Sequence, residues 1–341
     1  MAGQQQEFAR RADPYRRELL AHCYRMLGSV HDAEDQVQET LLRAWQAYSG
    51  FEGRSSMRTW LYRIATNACL RAIENRGRRP LPSGLGAPGT DPEGPLPDHR
   101  PEVPWLQPVP DALLGPGPAD PAEAVAARAG VRLALVAALQ YLPGRARAVL
   151  ILRDVLGWRA AETAEVLGIS TAAVNSLLQR ARRRLAEVAP VQTALREPDP
   201  GRARELLDRY AAAFEHADVA GLVRLLTDDA IMEMPPQPGW FAGREPIRRF
   251  LASRVLTAPG RFVMVGTAAN GQRAFAAYRR GQDGVPRAHA IQVPGLTAAG
   301  VSHLLSFNDA SLFPLFGLPA ELPRPAGTPV PRPAAQPVAQ P

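Results

Sequence analysis

A proline- and glycine-rich stretch divides this chain and limits the folds that are open to it. Between Pro80 and Pro121, 13 of 42 residues are proline and 6 are glycine. Proline fixes φ and lacks a backbone N–H, so this composition does not build a packed core and favours an extended chain. We therefore expect a linker between separate folded parts rather than one continuous domain.

Two further changes of pattern complete the predicted organisation. A short proline-containing joint, Pro190–Pro200, follows a second helical stretch, and a proline-rich run that we expect to be disordered ends the chain. The predicted parts are a helical block at 1–79, the linker at 80–121, a second helical block at 122–189, a third domain at 200–318 and a tail at 319–341.

Charge and cysteine content narrow the class of protein. A net charge of +7 favours an acidic partner where the arginines cluster. Cys23 and Cys69 stand too far apart for a metal clip and lie in apolar helical patterns, which predicts buried, reduced thiols in a cytoplasmic protein. No signal peptide and no apolar run long enough to span a membrane is visible, and no metal or cofactor site is predicted.

A helix-turn-helix is predicted at residues 165–185, EVLGISTAAVNSLLQRARRRL. Gly168 suits the left-handed end of a first helix, and Ser170 is a good N-cap for a second. Apolar residues then recur at helical spacing on one face: Val174, Leu178, Ala181 and Leu185. The second helix of such a unit enters the DNA major groove.

The polar face of this second helix supplies candidate DNA contacts. Short polar groups near its start would meet base edges, and the arginines at its end would meet phosphates. The candidates are Thr171, Ala172, Asn175, Ser176, Gln179, Arg180 and Arg183. A surface helix with a solvated basic end is the alternative, and the combination of this turn with clustered arginines favours DNA binding.

The first helical block carries two contrasting surfaces. A helix predicted to begin at Ala33, with Asp32 as a possible cap, has an acidic face formed by Asp32, Glu34, Asp35, Gln38 and Glu39. The next helix starts near Met57 and mixes aromatic with basic groups, which suits unstacked bases. Its candidate nucleic-acid residues, with the preceding loop, are Phe51, Arg54, Arg58, Trp60, Tyr62, Arg63 and Asn67. Tyr62 is expected on the exposed side, and a core position is the alternative for both Trp60 and Tyr62.

These residues resemble a known family. Region 2 of bacterial extracytoplasmic-function (ECF) sigma factors is resembled by the run YRMLGSVHDAEDQVQETLLRAWQAYSGFEGRSSMRTWLYRIATNACL. Their region 4 is resembled by LPGRARAVLILRDVLGWRAAETAEVLGISTAAVNSLLQRARRRL. The chain departs from the family pattern at Asn175 and Leu177, where basic residues are common, so individual contacts in region 4 do not carry over directly.

The resemblance implies a sigma factor that binds RNA polymerase core and directs promoter recognition and transcription initiation. The acidic face matches the docking surface for the clamp helices of the β′ subunit. The loop 51–56 and the helix 58–67 match the segment that opens the −10 element and captures a base, and the helix 171–184 matches the reader of the −35 element. No catalytic motif appears in these regions, so they should do no chemistry.

The third domain follows a different pattern, with helices first and strands afterwards, which indicates α+β. Its phrases LLTDDAIMEMPP, WFAGREPIRRFL and SFNDASLFPLFGLP resemble the SnoaL-like, polyketide-cyclase-type cone. That fold encloses a pocket, for which Glu233, Trp240, His289 and His303 are candidates. Protein contact, binding of a small ligand and acid–base catalysis all remain open, since a histidine on an apolar strand is often only a core residue.

The predicted fold class is therefore multidomain: two all-α sigma domains, region 2 and the helix-turn-helix region 4, plus a C-terminal α+β SnoaL-like cone. The predicted function is an ECF sigma factor that is regulated by its own C-terminal domain. The alternatives are a DNA-binding module tethered to a small cyclase- or isomerase-like enzyme, and a repressor that uses only the helix-turn-helix. The sequence does not indicate whether a separate anti-sigma protein exists.

Overall fold

The structure is a computed structural model, and it describes residues 2–53, 55–98, 100–115, 130–188 and 198–323. Arg54, the end of the predicted linker with the first residues of the second helical block, most of the joint Pro190–Pro200 and the tail beyond residue 323 lie outside the described residues.

The first helical block folds into packed helices, α1 (Ala2–Ala12), α2 (Arg16–Leu27), α3 (Val30–Ala47) and α4 (Met57–Arg76). The prediction that α3 begins at Ala33 behind an Asp32 cap is wrong. The cap is Ser29, whose Oγ accepts a hydrogen bond of 3.2 Å from the Asp32 amide, so the helix begins three residues earlier. Ser29 provides the short hydroxyl that an N-cap needs, and Asp32 sits within the first turn.

The second helical block contains the predicted helix-turn-helix. Its helices are α6 (Leu133–Leu139), α7 (Gly144–Leu150), which continues into a π-helical turn at Ile151–Val155, α8 (Ala160–Leu167) and α9 (Thr171–Val188). Gly168 ends α8 with a φ of 63°, and Ser170 Oγ accepts a hydrogen bond from the Ala173 amide near the start of α9. A short helix of the linker, α5 (Asp111–Leu114), precedes them.

The C-terminal domain has the predicted α+β composition. Its helices are α10 (Pro200–His216), α11 (Val219–Leu225) and α12 (Arg244–Phe250). Its strands are β1 (Leu226–Met234), β2 (Gln237–Ala242), β3 (Phe262–Ala269), β4 (Gln272–Arg280), β5 (Pro286–Gln292), β6 (Gly295–Thr297) and β7 (Gly300–Phe307). They form a mixed sheet in the order β2-β1-β7-β5-β4-β3, with β6 paired to β7 and only β1–β7 parallel.

The two faces of this sheet pack against different partners. Phe275 and Ala277 of β4 belong to a core that the domain builds with its own helices, whereas Ala276 and Tyr278 belong to a core shared with both helical blocks. Alternate residues of a strand point to opposite faces, so β4 divides its apolar side chains between the two cores. The C-terminal domain is therefore joined to the rest of the chain through a buried sheet face.

The linker segment, residues 80–115, packs against its neighbours although its composition builds no core of its own. It has little regular secondary structure, yet Leu106 and Val109 are completely buried in the shared core. A Cβ at Gly28, which ends α2 with a φ of 69°, would lie 2.8 Å from Leu106 Cδ1, so glycine permits this close approach. The linker lacks a core of its own but contributes apolar side chains to one built by its neighbours.

Candidate nucleic-acid interface

The outer face of α9 is open to solvent. All seven side chains predicted to contact duplex DNA, from Thr171 to Arg183, are exposed on it. Arg182 is bound to Asp154 by hydrogen bonds of 2.8 and 2.6 Å, whereas Arg180 and Arg183 have no ion pair within the described part of the chain. The two arginines predicted to bind phosphate are therefore available to an anionic partner.

A second open surface runs along α4. Arg63 and Asn67 are exposed, and Trp60 is half-buried with its ring stacked on Phe51 at a centroid distance of 4.6 Å. These side chains line a groove of about 500 Å³, which we call the α4 groove. Its lining comprises Arg43, Ala47, Trp60, Arg63, Ile64, Asn67, Leu70, Arg71, Glu74 and Arg145.

Tyr62 is covered and Arg58 is partly covered, which corrects the expectation that Tyr62 is exposed. Tyr62 is completely buried, and its ring lies 4.9 Å from that of Trp158 in the second helical block. Arg58 is paired with Glu18 at 2.9 Å and stands over the rings of Tyr62 and Trp158. Tyr62 could meet DNA only after the second helical block moves away, whereas the Arg58 side chain is still 39% exposed.

Buried charged groups hold the two helical blocks together. Arg147 of α7 is only 2% exposed and donates hydrogen bonds to the Met26 carbonyl and to Gln140 Oε1. Burial lowers its pKa to about 10. Arg25 of α2 donates in turn to the Gly130 carbonyl at 2.8 Å. Each arginine thus satisfies carbonyl groups that separation of the blocks would leave without these donors.

His22 lies beneath this interface. Its Nε2 is 2.9 Å from Thr66 Oγ1, and its ring packs 5.0 Å from that of Tyr62. Burial, and secondarily the charge of Arg25, lowers the pKa of His22 to about 3. The imidazole is therefore neutral in the folded protein near neutral pH.

The acidic face of α3 is only partly available. Asp35 and Gln38 are exposed, while Glu34 and Glu39 are half-buried. Asp32 is 8% exposed, and its carboxylate is held by Arg76 and Arg79 at the end of α4. The structure therefore separates Asp32 from the others, giving it an internal ion pair.

Sequence reasoning missed the residue that connects all four parts, Asn270, in the β3–β4 turn. Its Oδ1 accepts from the Val109 amide at 3.0 Å, and its Nδ2 donates to Tyr24 Oη and to the Val131 carbonyl, both at 2.8 Å. The side chain is completely buried, and the backbone adopts the left-handed region with a φ of 56°. One amide thus binds the first block, the linker and the start of the second block.

The neighbouring residues extend this contact, which we call the Asn270 clamp. The Asn270 amide donates to the Val109 carbonyl at 2.9 Å, and Pro110 pairs with Ala269 in an antiparallel bridge. The Gly271 amide donates to Asp111 Oδ1 at 2.7 Å. An Asn-Gly pair between two strand patterns signals a tight hairpin turn, but nothing in the pattern indicates what the turn will contact.

The four pocket candidates of the C-terminal domain do not share one pocket. His303 Nε2 lies 2.6 Å from Glu233 Oε2, and the Ser83 amide of the linker donates to Glu233 Oε1 at 2.6 Å. Trp240 also faces the linker, donating to the Gly86 carbonyl. His289 instead packs on Phe262, which belongs to the core that faces the helices.

The Glu233–His303 pair is nearly closed off. Burial alone would raise the pKa of Glu233, but the hydrogen bonds from His303 and from the Ser83 amide outweigh it and hold the pKa below its usual value. The adjoining cavity, which His303 lines with Leu81, Leu133 and Ala137 among others, measures only about 50 Å³.

The described residues contain neither a metal-binding cluster nor a helix that could span a membrane. No group of three or more His, Cys, Asp or Glu side chains there is arranged to hold a metal ion. None of the helices in the same residue ranges is both long and apolar enough to cross a membrane.

Comparisons with known proteins agree with this architecture. Residues 12–79 match the family profile described as Sigma-70 region 2, residues 132–185 match Sigma-70, region 4, and residues 207–303 match the SnoaL-like domain. The chain is 54% identical over 318 residues to the ECF RNA polymerase sigma factor SigG of Mycobacterium tuberculosis, covering 93% of this chain and 85% of that protein.

A second relative supports the whole arrangement. The ECF RNA polymerase sigma factor SigJ of Mycobacterium tuberculosis is 31% identical over 297 residues, with 84% of this chain and 85% of that protein covered. Its crystal structure superposes with a TM-score of 0.58 and 26% identity over 90% of this chain and 98% of that chain.

An exposed recognition helix, a partly covered region 2 and a sheet domain docked on both define a sigma-70-type initiation factor with a fused SnoaL-like domain. The 54% identity to SigG over 93% of this chain narrows the assignment to one group of these factors. The chain belongs to the ECF RNA polymerase sigma factors, whose partners are RNA polymerase core and promoter DNA.

Proposed function

We propose that the described arrangement is a closed, resting form of the sigma factor and that its C-terminal domain keeps it closed. The observation that carries this proposal is the Asn270 clamp, in which one buried side chain binds both helical blocks and the linker. Promoter opening would require the clamp to release, because Tyr62 is covered and Arg58 is partly covered by the second helical block. The chain would act in the cytoplasm, where core polymerase and promoters are found.

The surfaces divide the proposed work by their chemistry. The α3 face, with Asp35, Gln38 and Glu39, would bind core polymerase, because carboxylates are repelled by phosphate. Melted −10 DNA would bind along α4, where arginines stand beside Trp60. The exposed face of α9 would read the −35 duplex through short polar side chains and Gln179.

We also propose that the C-terminal domain is a regulatory contact and not an enzyme. Glu233 and His303 could exchange a proton, but the linker covers Glu233 and the adjoining cavity of about 50 Å³ is far below the roughly 300 Å³ of a small-ligand pocket. The enzyme hypothesis would need the linker to leave before any substrate could enter.

A reversible lock tests the closed form directly. Pro110→Cys with Ala269→Cys places two thiols across an antiparallel bridge, where paired Cα atoms are about 4.5–5.5 Å apart and within disulfide range. The natural Cys23 and Cys69 are buried free thiols, and both are replaced by alanine in this variant so that the introduced pair alone can be oxidised.

Run-off transcription with core polymerase then gives the answer. The oxidised double variant should initiate at a small fraction of the parent rate, and a reductant should restore activity, while either single variant should not respond to oxidant. Full activity of a chain shown by mass spectrometry to be cross-linked would refute the closed resting form.

A further inference from the structure

The α4 groove is not made by the first helical block alone. Arg145, at the start of α7 in the second block, forms part of its lining together with residues of α3 and α4. Its position is fixed by Gly144, where an added Cβ would lie 3.1 Å from Leu70 Cδ2 and 3.6 Å from Ile73 on α4. The closed arrangement therefore creates a surface that an isolated region 2 would lack.

The charge of the groove is strongly positive. Arg43, Arg63, Arg71 and Arg145 line it, and the acid among the lining residues is Glu74. Arg43 is bound to Glu39 at 2.6 Å, but the other three arginines are exposed and have no ion pair within the described ranges. Three exposed guanidinium groups that make no ion pair in the described ranges surround one concave surface. They favour an anionic ligand with several charges.

The spacing along α4 fits a chain of phosphates and bases. Arg63, Asn67 and Arg71 follow one another at four-residue intervals, so they stand on one helix face about 6 Å apart along its axis. Trp60 precedes them by about one turn, and Phe51 supports one side of its ring. Aromatic groups beside a line of arginines are typical of surfaces that bind single strands, because the bases of a duplex are not available for stacking.

We propose that the closed chain binds single-stranded nucleic acid in the α4 groove without core polymerase, and that Arg145 contributes a phosphate contact from the second helical block. The proposal rests on the assignment of α4 to melted DNA and adds a residue and a conformational state to it. DNA and RNA share the required chemistry, an extended phosphate backbone with unstacked bases.

Fluorescence anisotropy of labelled twelve-nucleotide oligothymidylate and oligouridylate with the full chain tests this binding. Arg145→Ala should weaken binding about three- to tenfold at low salt and reduce the salt slope by about 0.7, the value for one phosphate contact to a single strand. The exposed side chain makes no internal ion pair in the described chain, so the variant should fold normally. Arg204→Ala is the matched control, because Arg204 of α10 is also exposed and has no ion pair within the described ranges but lies outside the groove lining and outside both proposed DNA surfaces.

Each outcome decides the proposal. Saturable binding of either oligomer that falls with Arg145→Ala and not with Arg204→Ala supports it. Equal affinity of Arg145→Ala and the parent, no binding of either oligomer at 50 mM salt, or equally good competition by thymidine monophosphate would overturn it.

The lock variant separates this proposal from the proposed function. The oxidised Pro110→Cys, Ala269→Cys chain should bind oligothymidylate as tightly as the reduced chain, because the groove belongs to the closed form. Loss of binding on oxidation refutes the composite groove whatever transcription shows. Transcription by the oxidised chain refutes the closed resting form whatever the anisotropy shows.

Discussion

Replacing Asn270 by glycine should release the C-terminal domain from both helical blocks without unfolding it. Glycine adopts a φ of 56° without strain, so the change removes the side chain and leaves the turn intact. The three hydrogen bonds of that side chain are lost, to Val109, Tyr24 and Val131. At about 1 kcal/mol net for each bond, the closed form should lose roughly 3 kcal/mol, or about a hundredfold in its population relative to the open form.

The reporter for this opening should be remote from the substituted atoms. The Gln107 amide donates to the Gly28 carbonyl at 3.0 Å and is exposed to water only when the linker leaves the first helical block. Its hydrogen exchange should therefore become about a hundredfold faster in Asn270→Gly, and run-off transcription should rise if the closed form limits initiation.

The matched control is Asn308→Ala. This change removes a side chain whose Oδ1 accepts a hydrogen bond from the Ser306 hydroxyl of the same domain. It should leave Gln107 exchange unchanged. If Gln107 exchanges at the same rate in Asn270→Gly and the parent, the clamp contributes no measurable closing energy and the reasoning fails.

Three further predictions concern the α3 face, the α9 face and the buried His22. Reversing Asp35 and Glu39 to lysine should abolish binding to core polymerase in a pull-down; retention at moderate salt would remove the α3 face from the interface. Arg183→Ala should weaken binding to every −35 duplex alike and lower the salt slope by about 0.9, whereas Gln179→Ala should lose about 1–3 kcal/mol at particular base pairs only. Since the pKa of His22 is about 3 when folded and 6.5 in its ordinary state, the unfolded chain binds more protons below pH 6.5, and stability falls as the pH drops. Between pH 7.5 and 5, the free energy of unfolding measured in urea should therefore fall by about 2 kcal/mol less in His22→Gln than in the parent. Equal decreases in the two proteins would contradict a buried neutral imidazole.

Local patterns predicted the elements that depend on neighbouring residues. The helix-turn-helix followed from Gly168, Ser170 and an apolar stripe, all of which act within one or two turns of chain. The α+β character of the C-terminal domain followed in the same way from helical and strand periods. Such features need only backbone preferences and the alternation of apolar side chains.

Contacts between distant segments were not predictable in this way. The helical pattern places Tyr62 on the exposed side, but its ring packs against Trp158, far along the chain. Asn270 reads as an ordinary turn residue, and its role depends on three partners in three other parts. Asp32 is acidic like the other residues of the α3 face, yet its carboxylate forms ion pairs with Arg76 and Arg79. In each case the decisive neighbour is fixed only by the tertiary arrangement.

The packing of the linker was not predictable from its composition either. Its prolines predict the absence of helices and strands, and the structure agrees that it has few of them. They do not prevent single side chains such as Leu106 and Val109 from filling a cavity in a core that other segments build. Composition limits what a segment can build alone, and it says little about what the segment can complete.

The same prolines affect how readily the linker can leave and return. A free segment with 13 prolines among 42 residues samples far fewer backbone conformations than an ordinary chain of that length, since each ring fixes one φ angle. Reseating it on the first helical block therefore costs less conformational entropy, which for an ordinary residue is about 1–2 kcal/mol. A linker that is already stiff when free can leave the first helical block and bind it again repeatedly. A few well-placed hydrogen bonds are then sufficient to hold it there.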